Sequence, residues 1–248
     1  MVFVNDAAQR KRDNDLLKAN GYRWKKPDDI TWVLFDPIDN PVDKQKAMQD
    51  IAAGTVPKRV PVFFYDDRLT AQLLARTLLG HVPVFLDTET TGTGPDDEIV
   101  DIAIVDFDGT VLVNKLVDPT MPVSPEAYAK HGLDEIELSG CVEIIDIWDT
   151  IYAILQNRHV LIYNSMFDLR LLRQTAARYN LEMPEVKAHD VMKLYSLYHG
   201  EKSRESDINY AAKKLEIACE TFGIQPGTHR ALADAEATRQ LLIAMARS

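Results

Sequence analysis

The sequence predicts an α/β fold over residues 81–248, preceded by a small α+β appendage over residues 1–80. Two observations carry this. From residue 82 onward, short apolar runs of strand length alternate with segments of helical periodicity, the pattern of a sheet covered by helices. Before residue 80 the chain is polar and charge-mixed, with short aromatic runs broken by Pro, Asp and Gly.

In the appendage, Leu16–Gly21 reads as a short helix with a glycine stop. Tyr22–Lys26 and Thr31–Pro37 are strand-like runs separated by Pro27-Asp28-Asp29, a hairpin pattern. Asp43–Ala53 suits a second helix ending at Gly54, Val60–Tyr65 a strand, and Arg68–Leu79 a helix with Leu69, Leu73, Leu74 and Leu78 at helical spacing. The boundary is set near residue 80. In the larger region Val82–Leu86 is a buried-strand run with Asp87 at its end. Ile99–Phe107 and Val111–Val117, joined through Asp108-Gly109, predict an antiparallel hairpin. Val142–Leu155 suits a helix, His159–Tyr163 a central strand, and Phe167–Tyr179 a helix with Leu171 and Leu172 inward. Ile208–Phe222 and Ala231–Ala246 are expected to be amphipathic helices.

No apolar run approaches the roughly 18–20 residues of a membrane helix, so no membrane partner is expected. The N-terminus lacks the order of a secretory signal. Two cysteines, Cys141 and Cys219, fit neither a disulfide framework nor a zinc cluster, and Cys219 reads as a buried free thiol, so a cytoplasmic setting is expected. The net charge of −10 argues against a nucleic-acid partner at first sight. Its distribution softens the objection: residues 1–80 hold 13 Lys and Arg against 11 Asp, and residues 81–248 hold the other 15 against 27 Asp and Glu. Bound divalent cations would offset several of those negatives.

Three short islands hold the candidate chemistry. Asp87 and Glu89, in Asp87-Thr88-Glu89-Thr90-Thr91-Gly92, are two apart, so on a strand they share one face and can share one cation. Gly92 then lets the chain turn close to a ligand. Alone, the pair is equally a polar strand exit. Asp168, in Asn164-Ser165-Met166-Phe167-Asp168, opens a helix after a hydrophobic strand, and alone it reads as an acid favouring the helix dipole. His229 and Asp234 lie around the start of the last helix, where a single histidine is ordinarily a surface residue. Together, four carboxylates converging on one spot would repel strongly without divalent cations. Hard cations with carboxylate ligands and a histidine nearby are the equipment of phosphodiester hydrolysis.

These motifs, Asp-x-Glu-Thr-Thr-Gly, Asn-x-x-Phe-Asp and His-x-Ala-x-x-Asp, resemble those of the DnaQ-like (DEDDh) 3′→5′ exonucleases, relatives of the proofreading subunit of bacterial replicative DNA polymerase. Pro125–Leu133, Leu215–Ile224 and His189–Leu194 add to the likeness, which spans roughly residues 82–246. The resemblance implies a ribonuclease-H-like fold with a five-stranded mixed sheet between helices. It also implies two Mg²⁺ or Mn²⁺ ions. Asp87, Glu89 and Asp234 would hold one, Asp87 would bridge to the second, and Asp168 would support that second ion. The ions would lie about 3.5–4 Å apart. His229 would deprotonate the attacking water. Thr90, Gly92, His131 and Asn164 would lie near the terminal nucleotide. Phe167 reads equally as a wedge on the terminal base and as core.

The implied activity is a metal-dependent 3′→5′ exonuclease releasing nucleoside 5′-monophosphates, with single-stranded DNA as the expected substrate. An exoribonuclease trimming RNA and a polymerase-associated binding module are the alternatives, because no residue identifies a contact to a 2′-OH. The resemblance raises a DNA polymerase or repair complex as partner, but the chain contains no convincing clamp- or polymerase-binding peptide. Tyr22, Trp24 and Trp32 among Arg23, Lys25 and Lys26 read either as a stacking surface for unpaired bases or as a small aromatic core with solvated lysines.

Overall fold

A computed structural model of the chain describes residues 67–203 and 206–248, together with Asp15, Ala53 and the segments 22–24, 32–34 and 62–64. The chain divides into two compact units, Met1–Thr70 and Ala71–Ser248. In the smaller, β1 (Tyr22–Trp24) pairs antiparallel with β2 (Trp32–Leu34), with Trp24 opposite Trp32 in register. This is the hairpin the aromatic runs predict. β3 (Val62–Phe64) adds in parallel to β2. The helices expected at 16–21 and 43–53 lie outside the described residues, apart from Ala53.

Helix α1 (Asp67–Gly80) crosses the division. Its Ala71 and Ala75 are fully buried in the larger unit's core with Phe85 and Leu161, while Leu73 and Leu74 are exposed. The division falls within this helix, which buries its small residues against the sheet.

That sheet has five strands, β4 (Val84–Thr90), β5 (Ile99–Asp106), β6 (Val111–Leu116), β7 (His159–Ile162) and β8 (Lys187–Asp190), in the order β6-β5-β4-β7-β8. The β4/β5 and β5/β6 pairs are antiparallel; β4/β7 and β7/β8 are parallel. Gly109, at φ +95°, makes the tight turn of the β5–β6 hairpin, and its N–H donates to the Asp106 carbonyl.

Two short helices, α2 (Pro125–His131) and α3 (Glu135–Leu138), follow the hairpin. Alternation along the strands sends side chains to two cores. On one face Val84, Leu86, Ile102, Ile104 and Ile162 pack with Trp148, Ile151 and Leu155 of α4 (Ile144–Leu155) and Leu171 and Leu172 of α5 (Ser165–Arg178). On the other, Phe85 and Leu161 meet α1, Tyr195 of α6 (Val191–His199), and Leu241, Leu242 and Met245 of α8 (Ala231–Arg247). Each fully buried side chain of this kind contributes on the order of 1.5–3 kcal/mol. Cys219 is buried and free, as expected, and burial pushes its thiol up to about 11.

One expected helix is shorter than its pattern. Ile208–Tyr210 belong to β10 (Ser206–Tyr210), paired with β9 (Lys202–Ser203), and the helix α7 runs only over Leu215–Thr221. The intervening backbone is held by tertiary bonds: the Ala211 N–H donates to the Glu201 carbonyl (2.8 Å), and the Tyr163 hydroxyl donates to the Lys213 carbonyl (2.8 Å). These hold the backbone between Tyr210 and Leu215 outside the helix, although the sequence pattern reads as helical.

Candidate active site

The site opens where the sheet changes direction. β4 pairs with β5 along its whole length, including Asp87 with Ala103 and Glu89 with Asp101, but pairs with β7 only at Val84 and Phe85. Beyond Phe85 the β7 side of β4 is left open, as at the crevice of an open sheet. Asp87 is thus in mid-strand and marks the end only of the parallel pairing; the sequence placed it at the strand's end. The remaining antiparallel bonds hold Asp87 and Glu89 on rigid backbone, both on the face covered by α8.

After β4 the chain turns sharply around Asp97, whose carboxylate accepts from the Thr91 hydroxyl (2.8 Å) and the Gly94 N–H (2.5 Å). A Cβ on Gly92 would lie 2.6 Å from that carboxylate, so a larger residue there would push the Asp97 side chain out of place. The α5 helix secures the same loop: Arg170 donates to the Gly94 carbonyl at 2.9 Å, Gln174 to the Asp97 carbonyl, and Arg178 to the Asp96 carbonyl.

Asp168 lies in the first turn of α5, which starts from Asn164 in a left-handed conformation, φ 67°. It is buried and accepts the Thr88 hydroxyl at 2.7 Å, so it is committed to the site more than to the helix end. In the third island, His229 has φ +54° and a half-exposed side chain, with Nε2 3.5 Å from Glu216 Oε1 of α7. A Cβ on Gly227 would fall 1.3 Å from Asp234 Oδ1, so this loop lies directly on the Asp234 carboxylate.

All five residues line one cleft of about 850 Å³. Ligand atoms of Glu89, His229 and Asp234 lie within 4.8 Å of one another; among the described residues this is the one such group, and Asp87 and Asp168 stand outside it. Electrostatics nevertheless ties all four acids together. Burial pushes Glu89 up to about 8, with Asp234 and Asp101 adding to the shift. Burial raises Asp168 to about 7 against the Thr88 hydrogen bond, and Asp234 to about 6 against the neighbouring His229. Asp87 is raised well above the usual carboxylate range, by burial and then by Asp168, Asp234 and Glu89. Such a set takes up protons at neutral pH unless positive charge balances it. Hard oxygen donors with one imidazole at the rim fit divalent cations.

Of the residues expected near the terminal nucleotide, Thr90, Gly92, His131 and Asn164 all line the cleft. Asn164 is exposed. His131 is buried with both ring nitrogens engaged: Nδ1 accepts the Leu133 N–H (3.0 Å), which leaves Nε2 to donate to the Thr90 carbonyl (3.1 Å). It therefore braces the strand end rather than offering a free nitrogen. Phe167 both lines the cleft and packs on the core, with the Arg170 guanidinium 5.3 Å from its ring centre. Sequence reading passed over Thr88, Glu216 and Asp101. Only Asp101 left a signal, as the single acid in the apolar run Ile99–Val105.

This sheet order, with acids gathered where the parallel pairing ends, is that of a ribonuclease-H-like fold. The chain belongs to the exonuclease family: the RNase T exonuclease model matches residues 84–242. It is 32% identical over 203 residues to the uncharacterized exonuclease CP81 of Escherichia phage 186, covering 79% of this chain and 97% of that protein. It is 22% identical over 204 residues to a PolC-type DNA polymerase III of Bacillus cereus, covering 81% of this chain but only 13% of the polymerase. Two solved structures show the same fold. E. coli Exonuclease I in complex with a dA16 oligonucleotide has a TM-score of 0.53 at 20% identity, over 64% of this chain and 39% of that one. The nuclease domain of 3′hExo, a DEDDh family member bound to rAMP, has a TM-score of 0.52 at 16% identity, over 67% and 92%. Among the described residues no helix is long and apolar enough to cross a membrane.

Proposed function

We propose that this exonuclease works from the 3′ end of single-stranded DNA, hydrolysing the terminal phosphodiester to release a nucleoside 5′-monophosphate. The observation that carries the reading is the meeting of Asp87, Glu89, Asp168, His229 and Asp234 in a single cleft. Asp87, Glu89 and Asp234 are the groups to hold one divalent ion, and Asp87 with Asp168 a second. Mg²⁺ or Mn²⁺ bound there would supply Lewis acidity to the attacking water and charge stabilisation at the phosphate and leaving 3′ oxygen.

The chain's own groups do the rest. His229, on the cleft rim and half exposed, takes the proton from the attacking water and passes it to solvent. The backbone after β4, held by Asp97 and α5, is the surface against which the terminal nucleotide rests. Lys130 and Lys214 line the cleft and suit phosphates of the incoming strand. The free thiols of Cys141 and Cys219 suit a cytoplasmic setting. A polymerase or repair complex as partner rests on likeness to a small part of PolC alone.

Digestion of matched 3′-ended DNA and RNA, single and double stranded, with product sizes resolved, tests the reading. Mononucleotides accumulating from the 3′ end of single-stranded DNA are expected, with activity abolished by chelation and restored by Mg²⁺ or Mn²⁺. Metal-independent digestion would discard the mechanism, and preferential RNA cleavage would move the substrate to the ribonucleotide class.

A further inference from the structure

Asp101 lies outside all three sequence islands, yet it adjoins two of them. It stands opposite Glu89 in the β4/β5 ladder, on the face that α8 covers, and is 1% exposed. Its Oδ2 accepts from Arg230 Nε at 2.9 Å and from the Ala231 N–H at 3.3 Å, while Oδ1 is buried with no hydrogen-bond partner among the described residues. The buried small residues Ala103, Ala231 and Ala235 let α8 come close enough to the sheet for these bonds.

Fold stability does not call for a carboxylate here. A buried, half-satisfied acid is a poorer core group than an apolar side chain of similar size. Asp101 also adds like charge beside Glu89 and Asp234. Its two bonds do, however, hold the residues directly after His229. That histidine occupies the left-handed region, at φ +54°, a conformation that persists only where its surroundings enforce it. Arg230, next in the chain, is extended at φ −131°, and its own side chain caps nothing in the helix.

We infer that Asp101 is a positioning residue: its carboxylate clamps Arg230 and the first N–H of α8, holding His229 in the left-handed turn that presents the imidazole to the attacking water. The inference rests on the nuclease reading, with His229 as base. Only the loop conformation passes through the clamp, and Asp101 itself touches no reacting atom.

A double-mutant cycle tests it. Asp101→Asn keeps the shape and one acceptor but removes the charge. It should lower kcat by about 10- to 100-fold, the size expected for a misplaced catalytic group, with KM changed by less than about 3-fold. In a His229→Ala background the same change should lower kcat by less than about 2-fold, because the group it positions is already gone. Arg230→Met removes the clamp from its partly exposed side and should reproduce the loss, again without additivity, should Asp101→Asn fail to fold. Imidazole NMR supplies a readout apart from turnover, with the His229 resonances shifted or broadened in Asp101→Asn. Equal losses with and without His229, unchanged kcat, or unchanged His229 resonances each overturn the clamp. A wild-type protein that digests no 3′-ended oligonucleotide removes the nuclease reading instead, and the resonances then still decide the clamp.

Discussion

Glu89 and Asp168 sit where burial opposes their ionisation, raising them to about 8 and about 7. A carboxyl whose folded pKa exceeds its unfolded value stabilises the fold while protonated. That contribution is complete below the unfolded value near 4 and is lost as pH rises through the folded value. The metal-free protein should therefore lose thermal stability between about pH 5 and pH 8, as Asp234, Asp168 and Glu89 ionise in turn. Melting curves in chelator across that range check this, and a flat or rising Tm would contradict the electrostatics. Asp168→Asn should raise the metal-free Tm at about pH 8 by several degrees, at roughly 2–4 °C per kcal/mol, while abolishing digestion. At the rim, His229→Ala should lower kcat by about 10²- to 10⁴-fold, the ordinary worth of a general base. Substrate binding to the metal-loaded enzyme should be nearly intact, measured by equilibrium titration of a non-hydrolysable 3′-ended oligonucleotide.

Among the elements, each of the two loops that line the cleft holds a glycine on which a methyl group would press against an acidic side chain. Ala at Gly227 would drive its Cβ into the Asp234 carboxylate and to 3.1 Å from the Asp234 Cα, so backbone as well as side chain would have to move. Gly227→Ala should abolish detectable digestion, with a stability loss of about 1–3 kcal/mol as for other overpacked sites. Gly92→Ala meets only the end of the Asp97 side chain, but that side chain ties Thr91 and Gly94 together. A rise in KM with a smaller change in kcat is expected, read from steady-state kinetics on one oligonucleotide. These elements also show how far the sequence could be read. The β5–β6 hairpin was legible because Asp108-Gly109 carries its own turn chemistry, and the three islands because their residue types and spacings hold chemistry locally. The length of β4 was not, since its hydrogen-bond partners on β5 lie in a different stretch of chain and its second half is polar. Nor was the true start of α7, where bonds from Tyr163 and Glu201 override helical periodicity. The Asp101–Arg230 pair spans 129 residues, a separation at which no local pattern can announce a contact.

For the molecule as a whole, the question is how a protein of net charge −10 holds a polyanion. Divalent cations bound in the cleft would balance the acids there, but would do nothing for phosphates along the rest of the strand. The negative excess lies in residues 81–248, while residues 1–80 carry a slight positive balance and the run Tyr22-Arg23-Trp24-Lys25-Lys26. Nucleic-acid affinity beyond the scissile end grows with cationic contacts to phosphate and with aromatic stacking on bases, and that run offers both residue types. Removing residues 1–60 spares α1, whose Ala71 and Ala75 complete the larger unit's core. The shortened protein should therefore keep its turnover on dinucleotides, where only the cleft is engaged. On long single-stranded oligonucleotides its KM should rise about 10-fold or more, as expected when a few stacking and phosphate contacts are lost. The salt dependence of that KM should flatten at the same time, because the cations lost were the ones releasing counterions. Steady-state kinetics of both proteins on a length series at two salt concentrations separates the outcomes. An equal loss on dinucleotides and long strands would remove residues 1–60 from strand binding.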